Sequence, residues 1–151
     1  MRRTLRVGLL LVVLAGTSCR SSATRSVGQI SRSFDAAAAT RQWPASPPPG
    51  ETMAEWSRRK IHTRDNVRVD IAYAYTCVWY EEYLESIQHG DAERRARAAT
   101  VASTTLPKLF DELPDGPRVM ERNAARAANG DLAGLQAFIE ANDCDLLVER
   151  Q

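Results

Sequence analysis

The sequence predicts an all-α protein: a small helical domain of about four to five helices in antiparallel helix hairpins, after a signal peptide and a disordered linker. Apolar residues recur at helical spacing in most segments that follow Glu51. Gly-Asp pairs separate these segments, and the N-terminus has the pattern of an export signal. A chain of 151 residues has room for one ordinary domain, which we place at residues 51–151.

The first 18 residues have the three parts of a secretory signal peptide. Arginines at positions 2, 3 and 6 precede an apolar run from Val7 to Ala15, and small residues follow as far as Ser18. The run is too short to span a bilayer, which needs about 20 apolar residues. We therefore predict that residues 1–18 direct export.

Two cleavage sites remain open. Cys19, which follows Thr17 and Ser18, resembles the lipid-accepting cysteine of bacterial lipoproteins, although Gly16 stands where that motif has leucine. The resemblance implies acylation of Cys19 and an anchor at the cell membrane surface, since two acyl chains hold a protein stably. The alternative is a cut near Ala23 that yields a secreted protein.

The cysteine count predicts a disulfide. Acylating or removing Cys19 leaves Cys77 and Cys144, and an even pair in an oxidising compartment most simply forms a bond. Such a bond would stabilise the domain by roughly 4 kcal/mol in the chain-entropy model. The alternative is two buried free thiols.

Residues 19–50 are rich in Ser, Arg, Ala and Pro, which predicts a disordered linker ending in a proline spacer. The helical spacing of Val27, Ile30 and Phe34 leaves a brief amphipathic helix as an alternative within it. The four arginines and one aspartate of residues 20–50 give this segment a net charge of +3.

The charge of the domain excludes one class of partner. Residues 51–151 hold 13 Lys/Arg against 18 Asp/Glu, a net charge of −5, whereas nucleic-acid binding needs a basic surface. We therefore expect no nucleic acid as a partner. Arginine and alanine are abundant and only two lysines occur, as in a bacterial protein encoded by GC-rich DNA.

Two periodicities compete in the segment from about Asp65 to Gln88. Alternating apolar residues from Val67 to Trp79 are typical of a strand. A repeat of three or four residues extends over the whole segment, and its opposite side gathers acids such as Asp70. Because alternation fails after Trp79, we predict one long helix. Its apolar repeat consists of Val69, Tyr73, Thr76, Tyr80, Leu84 and Ile87.

The remaining helices are delimited by their caps. Gly90 suits the left-handed residue after a helix and Asp91 suits the next N-cap, and Gly130 with Asp131 repeats this arrangement. These signals, with the Pro-rich breaker at 114–117, predict helices at about 52–62, 92–105, 117–128 and 132–142, and a turn or a second helix at 107–113.

No catalytic arrangement is predicted. His62 and His89 lack partners at metal-ligand spacing, so we expect no metal and no cofactor. Glu81 and Glu85 share a helix face and could supply an acid/base pair, but a solvated face is the simpler interpretation.

The aromatic residues of the long helix are the most concentrated chemical feature. Tyr75 and Trp79 lie off its predicted core face, so either a second helix covers them, which is the simpler interpretation, or they form a binding surface with Glu81 and Glu85 beside them. We predict an exported interaction or accessory module with a protein partner in the cell envelope. The alternative is an extracytoplasmic binding protein for a small apolar or aromatic ligand, lodged between the central and last helices.

Overall fold

The structure, a computed structural model, describes residues 26–45, 47–59 and 67–147. The predicted all-α class is confirmed, since the described residues form seven α-helices and a final 3₁₀ turn, Cys144–Leu146. Six of the helices follow residue 49, and the turn or helix expected at 107–113 is the four-residue helix at 106–109. The helices are α1 Val27–Ala38, α2 Gly50–Arg59, α3 Val67–Gln88, α4 Ala92–Thr104, α5 Leu106–Leu109, α6 Gly116–Ala128 and α7 Ala133–Ala141.

Helix α3 is the centre of the fold and is helical throughout, as its full-length period predicted. The interpretation that gave it one polar side is wrong in its first half, where nearly every residue from 70 to 80 is buried. Asp70, expected on the solvent side, is only 8% exposed and accepts a hydrogen bond from the hydroxyl of Ser57 in α2. Other helices pack on opposite sides of α3. The helix is therefore buried on more than one side, and a prediction based on a single apolar face is wrong for it.

Two groups of buried side chains lie on these opposite sides. One joins α3 to α4, α5, α6 and α7 through residues such as Tyr80, Leu106 and Leu135. The other joins α3 to α1, α2 and the C-terminal turn through residues such as Phe34 and Trp56. Trp43 and Tyr73 contact both groups.

Helix α1 corrects the prediction of a linker over 19–50. It begins with a capping box in which Ser26 and Gln29 bond each other's backbone N–H. Phe34 is fully buried, and α1 packs along α2. The amphipathic-helix alternative is therefore confirmed for 27–38. The buried Phe34 ring stabilises this helix against α2, although the composition of the segment predicts disorder.

The predicted disulfide is present. Cys77 and Cys144 are joined at 2.06 Å between sulfur atoms, with their Cα atoms 5.2 Å apart, and neither is exposed to solvent. The bond attaches the C-terminal turn to the middle of α3 and closes a sequence separation of 67 residues.

The predicted glycine caps and the N-cap at Asp91 form, whereas the predicted N-cap at Asp131 does not: α7 begins after Leu132, and Asp131 instead accepts a hydrogen bond from the N–H of Ala133 at 3.2 Å. Gly90 has a φ of +67° and Gly130 one of +82°, the left-handed conformation that glycine adopts without strain. Asp91 accepts hydrogen bonds from the N–H groups of Glu93 and Arg94, at 3.1 and 2.9 Å, and so begins α4.

Candidate binding site

Tyr75 and Trp79 do not form the predicted binding surface. They are 3% and 2% exposed, which confirms the alternative that other elements cover them. Part of that cover comes from Trp43, whose ring meets Tyr75 edge to face with centroids 5.0 Å apart. The prediction of a surface pair is wrong because the segment after α1 folds back on α3.

Tyr75 is held from two directions. Its hydroxyl donates to the carbonyl oxygen of Gln42 at 2.7 Å, and the guanidinium carbon of Arg41 lies 5.8 Å from its ring centroid. Burial raises the pKa of Tyr75, an effect that the positive charge of Arg41 partly opposes. Tyr75 thus fixes the segment after α1 to the central helix.

The indole nitrogen of Trp79 is buried and makes no hydrogen bond to a described residue. Its ring packs against Tyr75 with centroids 6.2 Å apart and lies in the aromatic core. Packing therefore holds Trp79 in place, and the residue offers no surface for a partner.

The glutamates of α3 divide into structural and surface positions. Glu82, 9% exposed in its side chain, pairs with Arg94 of α4 through two hydrogen bonds, and Glu85 lies 3.2 Å from the same guanidinium. This pairing raises the pKa of Arg94 above its ordinary value. Glu85, predicted for binding, is thus a member of the α3–α4 contact, while Glu81 lies half-buried beside it.

Serine and histidine side chains, which could also take part in chemistry, lie in structural or exposed positions. Ser86 is fully buried and donates to the carbonyl oxygen of Tyr83 at 2.6 Å, and Ser103 donates to its own helix. His89 is exposed at the end of α3. The predictions for His62 and for acylation of Cys19 lie outside the described residues.

The space proposed for a ligand between α3 and α7 is filled by side chains. The ring of Phe138 in α7 stacks on Tyr73 with centroids 5.6 Å apart and meets Tyr80 edge to face at 5.3 Å. Burial raises the pKa of Tyr80 to about 12. A ligand cannot occupy this interface without displacing the aromatic core.

An open cleft lies instead where α1 ends. The chain leaves α1 after Ala38 in a turn, where the backbone N–H of Arg41 donates to the Ala38 carbonyl at 3.3 Å. At the start of α2, the backbone N–H of Gly50 donates to the carboxylate of Asp35 at 3.0 Å. A Cβ on Gly50 would lie 2.3 Å from that carboxylate and 2.6 Å from the Ser31 carbonyl, so only glycine fits this closure.

The cleft measures about 530 Å³, within the range of small-ligand pockets. Alanines and prolines form most of its wall, Trp43 adds an indole, and Arg41 and Asp35 contribute the charged groups. The indole N–H of Trp43 donates to the Ala38 carbonyl at 3.0 Å, which fixes the ring. The lining residues are Asp35, Ala38, Ala39, Arg41, Trp43, Ala45 and Pro47–Pro49.

The sequence interpretation missed this cleft because its residues lie in the predicted linker. Trp43 was the residue from which this packed segment could have been predicted. A large apolar side chain is seldom left in solvent, so a tryptophan within a Ser/Arg/Ala/Pro segment indicates a buried contact.

Comparison with protein-family models, curated proteins and solved structures yields no match. Within the residues that the structure describes, no helix has the length and apolarity needed to cross a bilayer. In the same residues, no group of three or more His, Cys, Asp or Glu side chains is arranged to hold a metal ion.

Proposed function

We propose that the protein is an exported helical interaction module of a bacterial cell envelope, tethered to the membrane surface through acylated Cys19 and without catalysis of its own. The buried disulfide between Cys77 and Cys144 carries this proposal. Disulfides persist in oxidising compartments and are rare in the cytosol. The signal-like N-terminus supports the same compartment.

Several side chains that could perform chemistry have structural contacts, which supports a non-catalytic role. Glu82 and Glu85 pair with Arg94 across the α3–α4 contact. Ser86 bonds its own helix, and the two cysteines bond each other.

The tether is tested by the intact mass of the protein from the membrane fraction of a bacterium that expresses the full chain. We expect a chain that begins at Cys19 and carries a diacylglycerol group. Cys19→Ser should move the protein out of the membrane fraction. A chain that retains residues 1–18 in the cytoplasm would contradict export, and an unmodified chain cut near Ala23 would contradict the tether.

The absence of catalysis is tested on a broad panel of glycosides and esters. We expect no turnover above that of a heat-denatured sample. Turnover that Glu81→Gln or Glu85→Gln removes would contradict the proposal.

Crosslinking in the native envelope should capture a defined protein partner, and the Cys19→Ser variant should capture less of it.

A further inference from the structure

The cleft beside Trp43 combines an available cation with an apolar wall. The guanidinium of Arg41 is a permanent cation and makes no ion pair with any described residue. The guanidinium lies over the Tyr75 ring, which orients the Arg41 side chain and leaves its positive charge unneutralised. Arg41 can therefore donate charge-assisted hydrogen bonds to an anion that enters the cleft.

The carboxylate in the same wall has a different role. One oxygen of Asp35 accepts the Gly50 N–H at the first residue of α2, where the helix dipole favours negative charge. Asp35 thus closes the loop that forms the cleft. Arg41 carries the positive charge in the cleft wall.

The rest of the wall suits a flat apolar group. Trp43 is half-buried and fixed by its hydrogen bond to Ala38, and Ala39 and Pro47–Pro49 add rigid apolar surface with little side-chain entropy to lose. An aromatic body placed there would gain contact area at small ordering cost.

We propose that this cleft binds a small molecule with a flat aromatic or apolar body and one anionic group, the body lying against Trp43 and the anion bonded to Arg41. The residues that line the site lie in α1 and in the described part of the segment that follows it, so the site does not depend on the tether at Cys19. Loss of the tether and loss of this site would give different results.

The test uses the exported chain with Cys19→Ser, its disulfide intact, and 8-anilinonaphthalene-1-sulfonate as the ligand. We expect saturable fluorescence enhancement at about one molecule per chain. Arg41→Gln should weaken binding about tenfold, as expected when a hydrogen bond to a charged group is lost. Arg95→Gln is the matched control, because Arg95 is an exposed arginine of α4 without an ion pair to a described residue, and it should bind as the parent does.

A second pair of variants tests the location. Ala39 is exposed and lines the cleft, so Ala39→Phe should fill it and abolish binding, whereas Ala96→Phe on the exposed side of α4 should not. The uncharged N-phenyl-1-naphthylamine should bind more weakly than the sulfonate, and Arg41→Gln should leave its affinity unchanged. Unchanged far-ultraviolet circular dichroism confirms that each variant is folded.

The proposal is overturned if the parent shows no saturable binding. It is also overturned if Arg95→Gln weakens binding as much as Arg41→Gln, if Ala39→Phe binds as the parent does, or if the neutral compound binds as tightly as the sulfonate.

Discussion

The indole N–H of Trp56 in α2 donates to the backbone carbonyl of Asn142 at 2.8 Å, joining residues that are 86 positions apart. Asn142 caps the end of α7 and directly precedes the turn in which Cys144 is bonded to α3. The second helix, the central helix and the C-terminal turn thus meet in one buried contact. The N-terminal helices are therefore part of the core of the domain.

Removal of the disulfide should destabilise the domain strongly. The Cys77→Ala/Cys144→Ala double variant frees a loop of nearly 70 residues in the unfolded chain, which corresponds to about 4 kcal/mol in the chain-entropy model. We expect the Tm to fall by roughly 10–20 °C in a calorimetric scan. Cys19→Ser is the control and should melt as the parent does; an unchanged Tm in the double variant would show that the bond contributes little.

Trp79→Ala should cost about 3–5 kcal/mol of unfolding free energy, because it leaves a large cavity beside Tyr75 in the packed core. Val27→Ala is the contrasting variant. Val27 is 41% exposed, so its change should stay within about 0.5 kcal/mol. Denaturant titration measures both, and a loss below about 1 kcal/mol for Trp79→Ala would mean that the indole is not core.

Two glycine variants should act in opposite directions. Gly50→Ala places a methyl group against the Asp35 carboxylate and the Ser31 backbone, so it should destabilise the α1–α2 contact. Gly28 lies inside α1 with only an ordinary contact at 3.6 Å, and Gly28→Ala should stabilise by about 0.5–1 kcal/mol. Amide hydrogen exchange of α1 measures both effects. Equal protection in the two variants would contradict the closure by Gly50.

The glutamates of α3 should differ in their effect on stability. Glu82→Gln removes the charge from a nearly buried pair with Arg94 and should cost about 1.5–3 kcal/mol. Glu85→Gln changes a side chain that is 46% exposed and should cost well under 1 kcal/mol. Thermal melts of the two variants make the comparison, and the reverse order would contradict the assigned contacts.

Alkaline pH should destabilise the protein through Tyr80. Its pKa is raised from 10 in the unfolded chain to about 12 in the fold, so its contribution is full below pH 10 and is lost as the pH rises towards 12. The loss is on the order of 2–3 kcal/mol for a shift of this size. In Tyr80→Phe, the unfolding free energy should change less between pH 10 and 12 than it does in the parent. Denaturant titration at each pH measures this free energy. The same pH dependence in both proteins would contradict the burial of the hydroxyl.

Local signals predicted much of this fold. The end of α3 and the start of α4 follow from Gly90 and Asp91, whose backbone conformation and capping hydrogen bonds depend only on adjacent residues. The disulfide was predicted from the expected compartment and the number of cysteines. That prediction required no information on how the helices pack.

The candidate site could not be predicted in the same way. A periodic pattern reports one buried face, whereas α3 is covered on opposite sides, so the pattern alone could not decide whether Tyr75 and Trp79 are covered or exposed. Their cover comes from Trp43, more than 30 residues earlier, in a segment whose composition is that of a linker. Long-range contacts of this kind leave no local period.

The most direct test of the central claim is thiol alkylation of the chain isolated from its native envelope, denatured in the alkylating reagent without reductant and analysed by mass spectrometry. Denaturation is needed because Cys77 and Cys144 are fully buried. We expect neither cysteine to be alkylated until a reductant is added. Alkylation of both without reductant would contradict the disulfide and the oxidising compartment inferred from it.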